Sequence, residues 1–211
     1  MSLADVAKRT GCPIRFLVGV RAVESGGDPK AIRFEPHLFK RHMPDMVVTI
    51  PRNMVPASAV KMREAIRAGG KVPYTPGRTR SGANRSASSI ASETDKAAFE
   101  FAEKIHAANA VISTSWGAYQ QLGSSFSHVI GQPITTSYAA VTAIQAFKSN
   151  PVKVSDQLLA AWLLDNPKAL AAAKEGNVEE FVRRYNGGPN PGYCTRMRAA
   201  FAEFDAGKLL P

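Results

Sequence analysis

The chain has 211 residues, 45% of them hydrophobic and 21% charged, enough apolar material for a sizeable core and too much for a disordered segment. No apolar run reaches membrane-spanning length, and Met1-Ser2-Leu3-Ala4-Asp5 lacks the basic-then-apolar pattern of a secretory signal, so no transmembrane segment and no exported leader are expected. Lys and Arg number 27 against 17 Asp and Glu, a net charge of +10, which favours polyanionic partners without choosing among nucleic acid, anionic lipid, teichoic acid and lipopolysaccharide.

Taken in chain order, the pattern is mainly helical. Pro13 suits a first helical turn, and Ile14, Phe16, Leu17, Val18, Val20 and Val23 are apolar on more than one face, which predicts a buried helix over Pro13–Glu24 stopped by Gly26-Gly27. The segment Ile32–Phe39 reads as extended or as a short helical turn, and Met46–Ile50 as a short strand. Ser58 caps an expected helix through Arg67, ended by Gly69-Gly70. From Lys71 to Ser89 the composition turns to Gly, Pro, Ser and Arg without apolar periodicity, the mark of a mobile surface loop inside one domain. Helix is expected to resume near Thr94, with Ala98, Phe101, Ala102, Ile105, Asn109 and Ile112 on one face. Further helices are predicted at Thr136–Lys148, Ser155–Asp165, Pro167–Lys174, Val178–Tyr185 and Gly192–Asp205. Asn177 with Glu180 resembles a capping box. The expected fold is a single compact α-rich domain over residues 1–211, α+β only through one small hairpin.

Cys12 and Cys194 form no metal-ligand spacing and no disulfide framework; they read as reduced, partly buried thiols, with a bridge between the chain ends left open. His37, His42, His106 and His128 show no zinc pattern, so no catalytic metal and no cofactor are expected. The basic residues are dispersed, with a modest cluster at Arg78, Arg80 and Arg85 and no nucleic-acid module, so sequence-specific nucleic-acid binding is not expected.

Chemistry concentrates at Glu24. A carboxylate in the last turn of a buried helix meets the negative end of the helix dipole and apolar neighbours, both of which disfavour its charged form. A carboxylic acid kept protonated near neutral pH is what general-acid catalysis at a glycosidic oxygen needs. The competing reading is an ordinary surface glutamate.

Four blocks bear on that choice. Glu24-Ser25-Gly26-Gly27 is followed by Phe34-Glu35-Pro36-His37-Leu38-Phe39, then by Ser113-Thr114-Ser115-Trp116-Gly117-Ala118-Tyr119-Gln120-Gln121-Leu122-Gly123, and finally by Tyr185-Asn186-Gly187-Gly188. In that order they resemble the N-acetylmuramidase family of phage endolysins, a branch of the goose-type lysozyme and lytic transglycosylase superfamily. The resemblance runs from about residue 13 to residue 204 and is thinnest over Pro44–Ser92. It implies a lysozyme-like fold and cleavage of peptidoglycan glycan strands at the β-1,4 bond between N-acetylmuramic acid and N-acetylglucosamine.

The resemblance makes Glu24 the acid and Glu35 the candidate second carboxylate, the alternative for Glu35 being a structural ion pair with Arg33, Arg41 or His37. It puts Ser115, Trp116, Gly117 and Gln120 in a substrate-cleft wall. Gly117 would allow close backbone approach, Gln120 could bond hydroxyl or N-acetyl groups, and Trp116 could either stack on sugar or fill the core. Tyr185 and Asn186 match the family's Tyr-Asn pair, and His37 could bond Glu35. Two mechanisms stay open: hydrolysis with a second carboxylate directing water, or lytic transglycosylation with one glutamate and the substrate's own hydroxyl as nucleophile. A third reading is a basic virion or binding protein that keeps the fold without activity. As a lysin without a leader or a separate wall-binding module, the protein would act as a monomer, be made in the host cytoplasm and reach the wall through a holin pore or inside a particle.

Overall fold

The computed structural model describes residues 1–42 and 85–210. The expected strand at Met46–Ile50, the expected helix at Ser58–Arg67 and most of the Lys71–Ser89 loop lie outside the described residues. Two compact units can be distinguished, one made of Met1–Ala31, Gly117–Gln121 and Ala146–Pro211, the other of Ile32–Trp116 and Leu122–Gln145.

The first unit is helical. Helix α1 (Leu3–Thr10) starts on a capping box in which the Ser2 hydroxyl accepts from the Asp5 N–H while the Asp5 carboxylate accepts from the Ser2 N–H. Helix α2 (Ile14–Ser25) follows Pro13 and ends where Gly26 and Gly27 take left-handed φ of 66° and 88°. The later helices repeat one start signal, an Asn followed by Pro in the first turn: α7 (Pro151–Asp165), α8 (Pro167–Lys174) and α10 (Pro191–Asp205). The Asn150 and Asn190 side chains accept backbone N–H bonds from Lys153 and Tyr193, both at 3.0 Å, whereas Asn166 instead donates to the Trp162 carbonyl. This signal starts α7 at Pro151, earlier than the Ser155 that apolar periodicity suggests. Helix α9 (Val178–Tyr185) is capped by Asn177, but Glu180 turns to Arg183 and Arg184 rather than back to the cap, so only half of the expected box forms.

The core of this unit is built by Phe16, Leu17 and Val20 of α2 with Leu159, Leu163, Phe181, Val182, Met197 and Phe201. Phe16 meets Phe181 edge-on at 4.7 Å and Phe201 at 5.3 Å. Each such ring or leucine contributes about 1.5–3 kcal/mol by leaving water. Gly19 lets α10 lie against α2, since a Cβ there would sit 2.6 Å from the Phe201 ring.

In the second unit, β1 (Ile32–Phe34) pairs antiparallel with β2 (Thr114–Trp116), Arg33 opposite Ser115, in a three-stranded sheet of order β1–β2–β3, where β3 is Gln121–Leu122. Helix α3 (Pro36–His42) follows β1 at once, so Ile32–Phe39 is both extended and helical. Helix α4 (Arg85–Ile112) begins earlier than Thr94, because its first turns are Ser and Ala without Gly or Pro. It is broken at His106 (φ −157°, ψ 95°), whose Nδ1 accepts from the Asn109 N–H at 3.2 Å and so caps a second helical piece. That break rotates the face: Phe99, Ala102, Ala108, Ala110 and Val111 are buried, while Ala98, Ile105, Asn109 and Ile112 are only partly so. A 3₁₀ turn (Gly123–Phe126) leads through the short α5 (Ser127–Ile130) to α6 (Ser137–Ser149). Among the described residues no helix is long and apolar enough to cross a membrane.

Candidate active site

Glu24 sits, half-buried, in the last turn of α2, one residue before the left-handed glycine cap. Two phenols of the same unit adjoin it. Tyr185 ends α9, stacked on Phe181 and edge-on to Trp162. Tyr193 lies in the first turn of α10, only 3% exposed. The Tyr193 hydroxyl is buried beside the Glu24 carboxylate, whose charge acts on it. Burial first, and Glu24's charge second, push both phenols well above the usual tyrosine pKa, so each remains neutral.

The segment Gly117–Gln121 straps this region. Gly117 has φ +72°, and a Cβ there would come within 2.0 Å of the Ser155 Oγ, so the glycine is demanded by packing inside the protein. The Ser25 hydroxyl, next to Glu24, donates to the Ala118 carbonyl at 2.9 Å. The Tyr185 hydroxyl donates to the Tyr119 carbonyl and accepts from the Gln121 amide at 2.6 Å. Gln120, in a left-handed conformation (φ 51°), donates to the carbonyls of Gly117 at 3.0 Å and Ala31 at 3.4 Å, which occupies its amide hydrogens within the protein. Asn186 is exposed at the C-cap of α9.

The remaining candidates belong to the second unit. Glu35 follows β1, its N–H bonded to the Ser113 carbonyl at 2.8 Å and its carboxylate 2.7 Å from the Arg33 Nε, with the Glu35 side chain 15% exposed. Of the ion pairs the sequence offers it, the one with Arg33 forms. Ser115 is buried in β2 opposite Arg33. Trp116 is 2% exposed, packed edge-on against Phe99 and Phe126, and its indole N–H donates to the Val111 carbonyl at 3.1 Å. That placement favours core packing of the two roles open to this tryptophan. His37 lies in α3, and its side chain is outside the described residues. Cys12 and Cys194 are free and buried. Among the described residues no cluster of three or more His, Cys, Asp or Glu is placed to hold a metal ion.

A family model described as N-acetylmuramidase matches residues 14–205. The chain belongs to the N-acetylmuramidase family. It is therefore a glycoside hydrolase acting on peptidoglycan. The fold of this muramidase is similar to that in the crystal structure of the Burkholderia AP3 phage endolysin, with a TM-score of 0.59 and 19% identity over 97% of this chain and 69% of the other. No curated protein matches the sequence.

Sequence reasoning missed Tyr193 as a neighbour of the muramidase's Glu24. Its position is set by Asn190-Pro191, which fixes the start of α10, and by the α2–α10 packing at Gly19, and no local spacing links residues 24 and 193. Gln121 and Tyr119 lie inside a legible motif block, but the Tyr185 hydroxyl that both of them meet is 64 and 66 residues away.

Proposed function

We propose that this muramidase is a phage lysin that cleaves the β-1,4 bond between N-acetylmuramic acid and N-acetylglucosamine, with Glu24 as general acid. The observation that carries the residue assignment is the flanking of a half-buried, helix-terminal Glu24 by two phenols that stay neutral. Half-buried surroundings of low polarity suit a carboxyl that must hold a proton until the leaving oxygen takes it, and the uncharged phenols beside it do not compete for that proton. Glu35 is the second carboxylate of this reading, directing water or stabilising positive charge at the anomeric carbon. Gln120, Tyr185, Asn186, Ser115 and His37 line or support the substrate path in this reading, and Trp116 takes the core role of the two open to it. Phage origin is supported by the fold shared with a phage endolysin. Release through a holin pore or carriage in a particle, and action as a monomer, complete the reading.

The Arg33–Glu35 ion pair favours a second mechanism, because a glutamate committed to structure leaves Glu24 to act alone, as a lytic transglycosylase does. Digestion of purified peptidoglycan followed by mass analysis of the fragments separates the two. Reducing N-acetylmuramic acid ends are expected; anhydro ends would replace hydrolysis by transglycosylation, and an absence of any cleavage would reject both.

The net charge of +10 serves attraction to the anionic envelope and not specific nucleic-acid recognition. Lysis of whole cells should therefore weaken steeply with added salt, which screens over about 8–10 Å, while cleavage of a short soluble glycan should weaken much less.

A further inference from the structure

We propose that Tyr119 and Asp156 form a positioning lock for the muramidase reaction: the lock holds the Gly117–Gln121 strap, and the strap holds Ser25 and Tyr185, both neighbours of Glu24. This inference rests on the assignment of Glu24 as the acid. Asp156 lies on α7, 5% exposed, and its Oδ1 accepts the Tyr119 hydroxyl at 3.1 Å; Tyr119 itself is wholly buried. The residue before it, Ser155, accepts the Ala118 N–H at 3.2 Å and donates to the Pro151 carbonyl at 2.7 Å, while its side chain fills the space that Gly117 leaves open. Two consecutive residues of one helix thus grip three consecutive residues of the strap. The other edge of the strap carries the functional contacts, through the Ala118 carbonyl to Ser25 and the Tyr119 carbonyl to Tyr185.

The chemistry of Asp156 argues that this grip has a use. Burial pushes its pKa up to about 6, against the lowering influence of Tyr119, of Arg21 on α2 and of the N-terminal amine, with Asp5 on α1 adding to the rise. The fold therefore makes its ionised form more costly than in water, although that form still predominates at about pH 7, and an apolar residue would fill the position at less cost. What an apolar residue cannot do is accept the Tyr119 hydroxyl and set the height of the strap. A carboxylate or an amide can. The lock touches no substrate; it acts through Ser25 and Tyr185, and a misplacement of even an ångström at a catalytic group is costly.

The test compares wild type with Tyr119→Phe, Asp156→Leu and Asp156→Asn, measuring thermal melts and release of reducing ends from soluble, uncrosslinked glycan strands over a range of concentrations. Tyr119→Phe and Asp156→Leu are expected to lower kcat about tenfold with KM within twofold, in protein that still melts cooperatively. Asp156→Asn, which keeps the acceptor, should stay within twofold of wild type. If Asp156→Leu does not fold, Tyr119→Phe removes the same bond from the other side and decides alone. A folded Tyr119→Phe with wild-type kcat overturns the lock, as does a loss of activity that only tracks the fraction of folded protein. Wild type that yields neither reducing nor anhydro ends, while Glu24→Gln behaves identically, removes Glu24 from the acid role and this inference with it.

Discussion

Glu24 and Glu35 each sit at the end of a regular element, but they are held by different physics. In the first unit, Glu24 stands among phenols and hydroxyls whose own bonds run to backbone carbonyls and to α7: Ser25 to Ala118, Tyr185 to Tyr119, Tyr119 to Asp156. In the second, Glu35 is tied directly to a cation, Arg33, beside a sheet packed on aromatic edges. A network of neutral donors fixes position while leaving the proton on the acid available. A direct ion pair fixes position and occupies the charge. The contrast separates the demands on an acid from those on a charged partner or a structural strut.

The largest effect should come from Glu24→Gln, which keeps size and hydrogen bonding but has no proton to give. Peptidoglycan cleavage should fall by ~10²–10⁴-fold with an unchanged melt, and a variant retaining more than a few per cent of activity would remove Glu24 from the role. Glu35→Gln comes next. As second carboxylate it should cost on the order of 10²-fold in turnover, whereas Arg33→Ala, which breaks the same pair, should cost about 1 kcal/mol of stability or less and far less turnover. Equal behaviour of the two variants would make Glu35 a strut.

Gly117→Ala probes the strap itself. A methyl 2.0 Å from Ser155 at φ +72° cannot be accommodated without moving α7 or the strap. The expected loss is about 2–4 kcal/mol in denaturant unfolding, combining overpacking with left-handed strain. A neutral substitution would show that the strap has room to shift, and would weaken the contrast drawn above.

The smallest effect concerns pH. Asp156 rises from its ordinary value of 3.8 to about 6 through burial. Its contribution to stability is therefore fully present below the unfolded value and lost as pH rises through about 6. Asp156→Asn should remove that slope and leave the variant more stable than wild type at pH 8 by about 1–2 kcal/mol, after discounting for solvent screening. Melts at pH 4 and pH 8 read this directly; a variant less stable at both would mean that the carboxylate is favoured where it lies.

Much of this architecture is legible in the amino-acid sequence. Helices α8 and α9 fall where Asn-Pro, Asn177 and the closing glycines put them, because capping is local chemistry. The four motif blocks name Glu24, Glu35, Gln120 and Tyr185. Periodicity misjudges α4, since a non-helical histidine capping its own successor leaves no Gly or Pro to mark the break. The surroundings of Glu24 are illegible for a different reason: Tyr193, and the residues Ser155 and Asp156 that hold the strap, come from distant helices, and packing at Gly19 and Gly117 sets where those helices lie.

The two buried thiols carry a practical consequence. Cys12, 2% exposed and pushed up to about 12 by burial, and Cys194, 6% exposed, are the only cysteines in the chain, and both belong to the first unit. The second unit has no thiol but holds Trp116, one of two tryptophans. Alkylation under native conditions becomes a clock for opening of the first unit alone, and quenching of Trp116 in a Trp162→Phe background reports the second. Run side by side across denaturant, the pair distinguishes one cooperative melt from two successive ones, using chromophores and nucleophiles that the protein already contains.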